Sequence, residues 1–175
     1  PRADWTETGR QNVNRALSDF MTARKASLLP YEVPSDPDTE HDHQQLQKLH
    51  EAVGGAIMTH RYLPALALPT KSPEGLDWTL GASVESLRRT SGADYALFVY
   101  LHDSYATGGR VAAMVVAAAF GVGITGGIQR GFASLVDLNT GDIIWFNRLV
   151  STTGDLRTLE PAKSAVDTLL AAVPL

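Results

Sequence analysis

Between Arg110 and Arg130 the chain carries no charged side chain, and Gly and Ala dominate the stretch. In a chain of 175 residues this segment constrains folding more than any other, because so apolar a run must be covered by something. Three readings compete. A membrane span needs about 20 strongly apolar residues, whereas the second half here, GVGITGG from Gly121 to Gly127, makes a poor helix. Gly121, Gly123 and Gly126 spell G-x-G-x-x-G, but that pattern cradles a dinucleotide only where it follows a strand and opens a helix. Here it follows an alanine-rich helix and leads into a strand. The third reading fits best. Arg110 to Phe120 forms a helix apolar on all sides, ended by glycines, and either buried or at a contact between subunits. Val111, Met114, Val115 and Ala118 would make that contact.

The rest of the composition narrows the classes. Hydrophobic residues make up 44% and charged residues 19%, an ordinary globular balance for one domain spanning residues 1–175. The net charge of −4, with no run of Lys and Arg, argues against a nucleic-acid binder. The absence of cysteine excludes disulfides, thiolate catalysis and Cys-based zinc sites within these residues. Any targeting segment is expected upstream of Pro1.

Along the chain, residues 3–25 read as an amphipathic helix with Val13, Leu17, Phe20 and Met21 inward. Asp4 is its expected cap, with Glu7 completing a capping box. ASLLPYEV, residues 26–33, reads as a short strand, placed at an edge by Pro30. A second helix starts at Asp36, with Leu46, Leu49, Val53, Ile57 and His60 on one face. Gly54 and Gly55 either weaken it or allow close packing. Residues 77–92 read as a third helix, capped by Asp77 and stopped near Gly92. ADYALFVYLHDSY is the strongest strand. QRGFASLVDL and DIIWFNRLV are joined by NTG as a β-hairpin, and a final helix carries Ala162, Ala165, Val166, Leu169 and Leu170 inward.

Few residues look like chemistry. After His102, Asp103 and Ser104, the turn at Gly108 and Gly109 opens a helix at Arg110, where backbone N–H groups and the guanidinium could hold an anion or small ligand. No Walker Lys-Ser or Lys-Thr follows. Ser104, His102 and Asp103 have the residue types of a hydrolase, but neighbours on a strand point to opposite faces and no G-x-S-x-G elbow surrounds Ser104. His41, His43 and His50, with Asp36, Asp38, Glu40 and Asp42, could bind a metal, yet an acidic first turn is ordinary dipole complementation. No catalytic residue, metal or cofactor is assigned. His60 reads as a satisfied core histidine.

PRADWTE, DYALFVYLHDSYATGGR and SLVDLNTGDIIWFN resemble a group of uncharacterised bacterial envelope lipoproteins, related in fold to the TolB amino-terminal domain and the curli-export lipoprotein. The resemblance implies an α/β (α+β) domain: a mixed β-sheet with three to five helices, an antiparallel hairpin near the C-terminus and a final helix. It implies a signal peptide, a lipidated Cys and one further strand upstream, leaving a sheet edge open. It also implies a non-enzymatic periplasmic role in assembly, through self-association or other envelope proteins, with the membrane reached only through the lipid anchor. The alternative is a small-ligand or anion-binding domain, conceivably an enzyme, using Asp103, Ser104, Gly108, Gly109 and Arg110.

Overall fold

Strand alternation sorts the side chains into two separate cores. The computed structural model describes residues 3–71, 75–105, 127–151 and 155–174. Within them β1 (Tyr95–Tyr105), β2 (Gly127–Asp137) and β3 (Ile143–Ser151) form a sheet of order β1-β2-β3. Successive residues of a strand face opposite sides. Leu97, Val99, Leu101, Ala133, Trp145 and Leu149 join one core, while Ala96, Phe98, Val136, Ile143 and Phe146 join the other. On the first face lie α1 (Ala3–Ala23) and α4 (Leu159–Leu169). The second face is covered by α2 (Pro37–His60) and α3 (Glu85–Ser91). The result is an α/β domain with its hairpin before its last helix, as expected. Every strand pair among the described residues is antiparallel, so the parallel pairing that a mixed sheet implies is not among them.

The hairpin forms where the turn chemistry places it. Gly141 adopts φ +82°, a conformation that L side chains rarely enter. Its N–H donates to the Asp137 carbonyl at 2.8 Å, and the Asp137 carboxylate accepts from Asn139 N at 2.8 Å. A bulge follows: Val136 pairs with Ile143 and Leu135 with Trp145, so Ile144 is the extra residue and stands exposed. At the other end of the sheet Tyr105 pairs with Gly127. The chain therefore leaves β1 and returns to β2 at register partners.

Four expectations need correction. Residues 26–33 are not a strand. Pro30 and Pro34 remove two N–H donors, no described strand lies alongside, and the segment crosses between layers: Ala26 packs with the α1/α4 core while Tyr31 reaches His43 on α2. Leu28, Leu29, Tyr31 and Val33 stay exposed. Asp4 lies inside the first turn of α1, and Glu7 bonds forward to Arg10 and Gln11 instead of closing a capping box. The third helix starts late. Thr79 forms a β-bridge with Asp142 at the hairpin, with Ile143 N donating to Trp78 O and Leu80 N to Gly141 O. A 3-10 turn (Gly81–Val84) then leads into α3, which ends at Gly92 as read. His60 is partly exposed, its Nδ1 2.7 Å from the Leu66 carbonyl, so it is satisfied at the end of α2 and not in the core.

α2 begins as its sequence dictates. Asp36 caps it, accepting from Thr39 N at 2.9 Å, and Pro37 takes the first position. Its buried stripe is His43, Leu46, His50, Gly54 and Ile57. The two glycines of the helix differ. A Cβ on Gly54 would sit 2.0 Å from Phe132 Cε2, whereas one on Gly55 would meet nothing within 4 Å. Phe132 cannot yield, being stacked between Tyr100 at 5.0 Å and Phe146 at 5.5 Å. Gly54→Ala should therefore lower stability by roughly 1–3 kcal/mol through overpacking. Gly55→Ala should raise it by up to about 1 kcal/mol through helix propensity. Urea denaturation of the two variants checks this, and equal effects would disprove the close-approach argument.

Candidate functional site

The polar groups that β2 and α2 draw inside are the first candidates for chemistry. Ser134 is fully buried on β2, and His50 on α2 is 4% exposed. The His50 Nε2 and Ser134 Oγ share a hydrogen bond across 84 residues of sequence. The imidazole stacks on Phe98 at 4.7 Å and lies 5.4 Å from Phe132. Burial pushes the His50 pKa down to about 4, because the charged form loses its hydration there. A Ser–His pair is the beginning of a nucleophilic triad. This one lacks the access and the basicity: no substrate reaches an enclosed hydroxyl, and a histidine of that pKa is a weak base at neutral pH. The pair is a polar tie between α2 and the central strand.

His43 makes a second tie. It is 3% exposed, with Tyr31 Oη 3.3 Å from Nδ1 and Thr90 Oγ1 3.4 Å from Nε2. Thr90 Oγ1 already donates to the carbonyls of Ser86 and Leu87, which leaves it to accept from His43. His43 thus joins the crossing segment, α2 and α3. Burial, then the charge of Glu40, raises the Tyr31 phenol above its ordinary value. His41 remains on the surface. His41, His43 and His50 do not converge, and among the described residues no group of three or more His, Asp or Glu is placed to hold a metal ion.

Of the residues read as a ligand turn, Asp103 is described with its contacts. Its Oδ2 accepts from the backbone N–H of Leu156 at 3.1 Å and from Gln129 Nε2 at 3.5 Å. The Leu156 carbonyl accepts from Asn12 Nδ2 at 2.9 Å. The carboxylate therefore helps to fasten the approach to α4 against β1 and α1. Ser104 lies within β1, opposite Ile128. Gly108, Gly109 and Arg110 lie outside the described residues, as do the expected contact residues Val111, Met114, Val115 and Ala118 and the glycines Gly121, Gly123 and Gly126. Among the described residues no helix is long and apolar enough to cross a membrane.

Two clefts open between α2 and its neighbours. One, about 290 Å³, is lined by His60, Arg61, Lys71 and Trp78. Its cations are engaged: Arg61 with the Gly75 carbonyl, and Lys71 with Asp77. The other, about 440 Å³, lies between α2 and the turn into α3. No protein-family model, curated protein or solved structure matches the chain.

The two polar ties make testable claims. Folded His50 titrates near pH 4 and the unfolded residue near 6.5, so between these values the unfolded chain holds the extra proton. The contribution of neutral His50 is complete above pH 6.5 and is lost as pH falls toward 4, reaching about 3 kcal/mol in all. Chemical denaturation from pH 7.5 to 4 should show this decline, and His50→Leu should flatten it. An equally steep decline in the variant would assign the acid sensitivity elsewhere. Asp103→Ala should cost roughly 1.5–3 kcal/mol by removing a charged acceptor. Hydrogen exchange should locate that loss at the Leu156 amide; an unchanged Leu156 exchange rate would refute the clamp.

Proposed function

We propose that this chain is a non-enzymatic interaction and assembly domain of a bacterial envelope lipoprotein. It works in the periplasm through self-association or contact with other envelope proteins, and an upstream lipid anchor alone ties it to the membrane. The observation that supports this reading concerns the outer strands of the sheet. β1 and, beyond its bulge, β3 have no outer strand partner among the described residues. Tyr95, Ile144 and Val150 stand exposed on them at 54%, 47% and 64%. An unpaired strand presents N–H and C=O groups that another chain can complete, and natural proteins usually blunt such edges with charge or proline. The apolar strip Leu28, Leu29, Tyr31 and Val33 adds a second surface of the same kind. The envelope setting rests on the sequence resemblance.

Light scattering over a concentration series tests the assembly. The expected mass exceeds the 18.8 kDa of one chain and rises with concentration. Ile144→Lys with Val150→Lys should return it to one chain without lowering stability, since neither side chain belongs to a core. A constant 18.8 kDa, together with unlipidated protein in the soluble fraction of its native cells, would remove the reading.

A further inference from the structure

The larger cleft, about 440 Å³, falls within the size range of small-molecule sites and brings charged groups of both signs together with two leucines. Its α2 wall follows from helical spacing: Asp42, Leu46 and Leu49 recur at i, i+4 and i+7 and share one stripe. Leu46 is 2% exposed and forms an apolar floor with Leu49. The facing wall supplies Glu85, Ser86 and Arg89, the last two one turn apart on α3.

Ser86 points to a ligand independently. The residue is 8% exposed, yet among the described residues its hydroxyl has no hydrogen-bond partner; the group that Thr90 uses is the Ser86 carbonyl. Among the described residues no fully enclosed side-chain oxygen or nitrogen lacks a partner. The Ser86 oxygen therefore reaches open space, and the space that Ser86 lines is this cleft. Asp42, Glu85 and Arg89 also form no ion pair among the described residues.

The chemistry selects the ligand. Two carboxylates against one guanidinium disfavour a simple anion, and a guanidinium beside two carboxylates disfavours a metal cation. Both signs around an apolar floor suit a molecule carrying both charges and a hydrocarbon group. We propose that this cleft binds a free apolar α-amino acid as its zwitterion. Its carboxylate meets Arg89 and the Ser86 hydroxyl, its ammonium meets Asp42 and Glu85, and its side chain rests on Leu46 and Leu49. The site is independent of the assembly reading and of the turn at Gly108.

Isothermal titration of the purified chain tests it, with L-leucine, L-valine, L-methionine and L-phenylalanine as probes. At least one should bind saturably. The matching amide, which lacks the carboxylate charge, and the N-acetyl derivative, which lacks the ammonium, should each bind at least about tenfold more weakly. Arg89→Gln and the double variant Asp42→Asn, Glu85→Gln should weaken binding to a similar degree, with unchanged thermal melting because these side chains are exposed. Methyl chemical shifts of Leu46 and Leu49 should move during the titration of the unaltered chain, a readout that does not depend on any variant folding. The proposal is overturned if no probe gives saturable heat or methyl shifts, if amide or N-acetyl forms bind equally well, or if only calcium or inorganic phosphate binds.

Discussion

The contact between α2 and the central strand governs the rest of the fold. β2 is the one described strand paired on both sides, and its residues serve the two cores in turn: Ala133 faces α1 and α4, while Phe132, Ser134 and Val136 face α2. Phe132 sits within an aromatic row that runs from Tyr100 through Phe146 to Tyr62, with the Arg148 guanidinium 4.1 Å from the Tyr62 ring centre. A helix can lie on that row only where it presents no side chain to the ring. Gly54 provides the gap, and His50, one turn earlier, reaches past Phe132 to Ser134. Position and register of α2 are therefore set by shape at one residue and by hydrogen bonding at another.

Much of this framework is legible in the sequence because it arises from local periodicity. The Asp36 cap, the stripe on α2, the alternation of β1, the Asn139–Gly141 turn and the inward face of α4 each depend on residues within a few positions of one another. The failures occur where distant partners decide. Trp78 to Leu80 have a helix-start pattern, but the hairpin tip captures their backbone groups and delays the helix. ASLLPYEV has a strand's composition, yet a strand also needs a neighbour, and the chain uses this segment to cross from one layer to the other.

The polar interior was less legible for the same reason. His50 stands three residues before Val53 on an apolar stripe, which is compatible with a core position, but nothing local identifies Ser134 as its partner. Asp103 reads as part of a ligand turn because it precedes glycines; its carboxylate is taken by a backbone amide 53 residues on. Ser86 carries no local signal, since only the fold brings it to the wall of a cleft between α2 and α3. Sequence spacing reveals groups that share an element, whereas these groups meet across elements.

The pairing of Tyr105 with Gly127 has a separate consequence for residues 106–126. Strand pairing holds the two ends of that stretch side by side, so it enters and leaves the sheet as the two arms of a clasp. Whatever joins these partners spans only the distance between neighbouring strands, about 5 Å, so β1 and β2 fix where the connection starts and stops, and its charge-free sequence answers to whatever covers it.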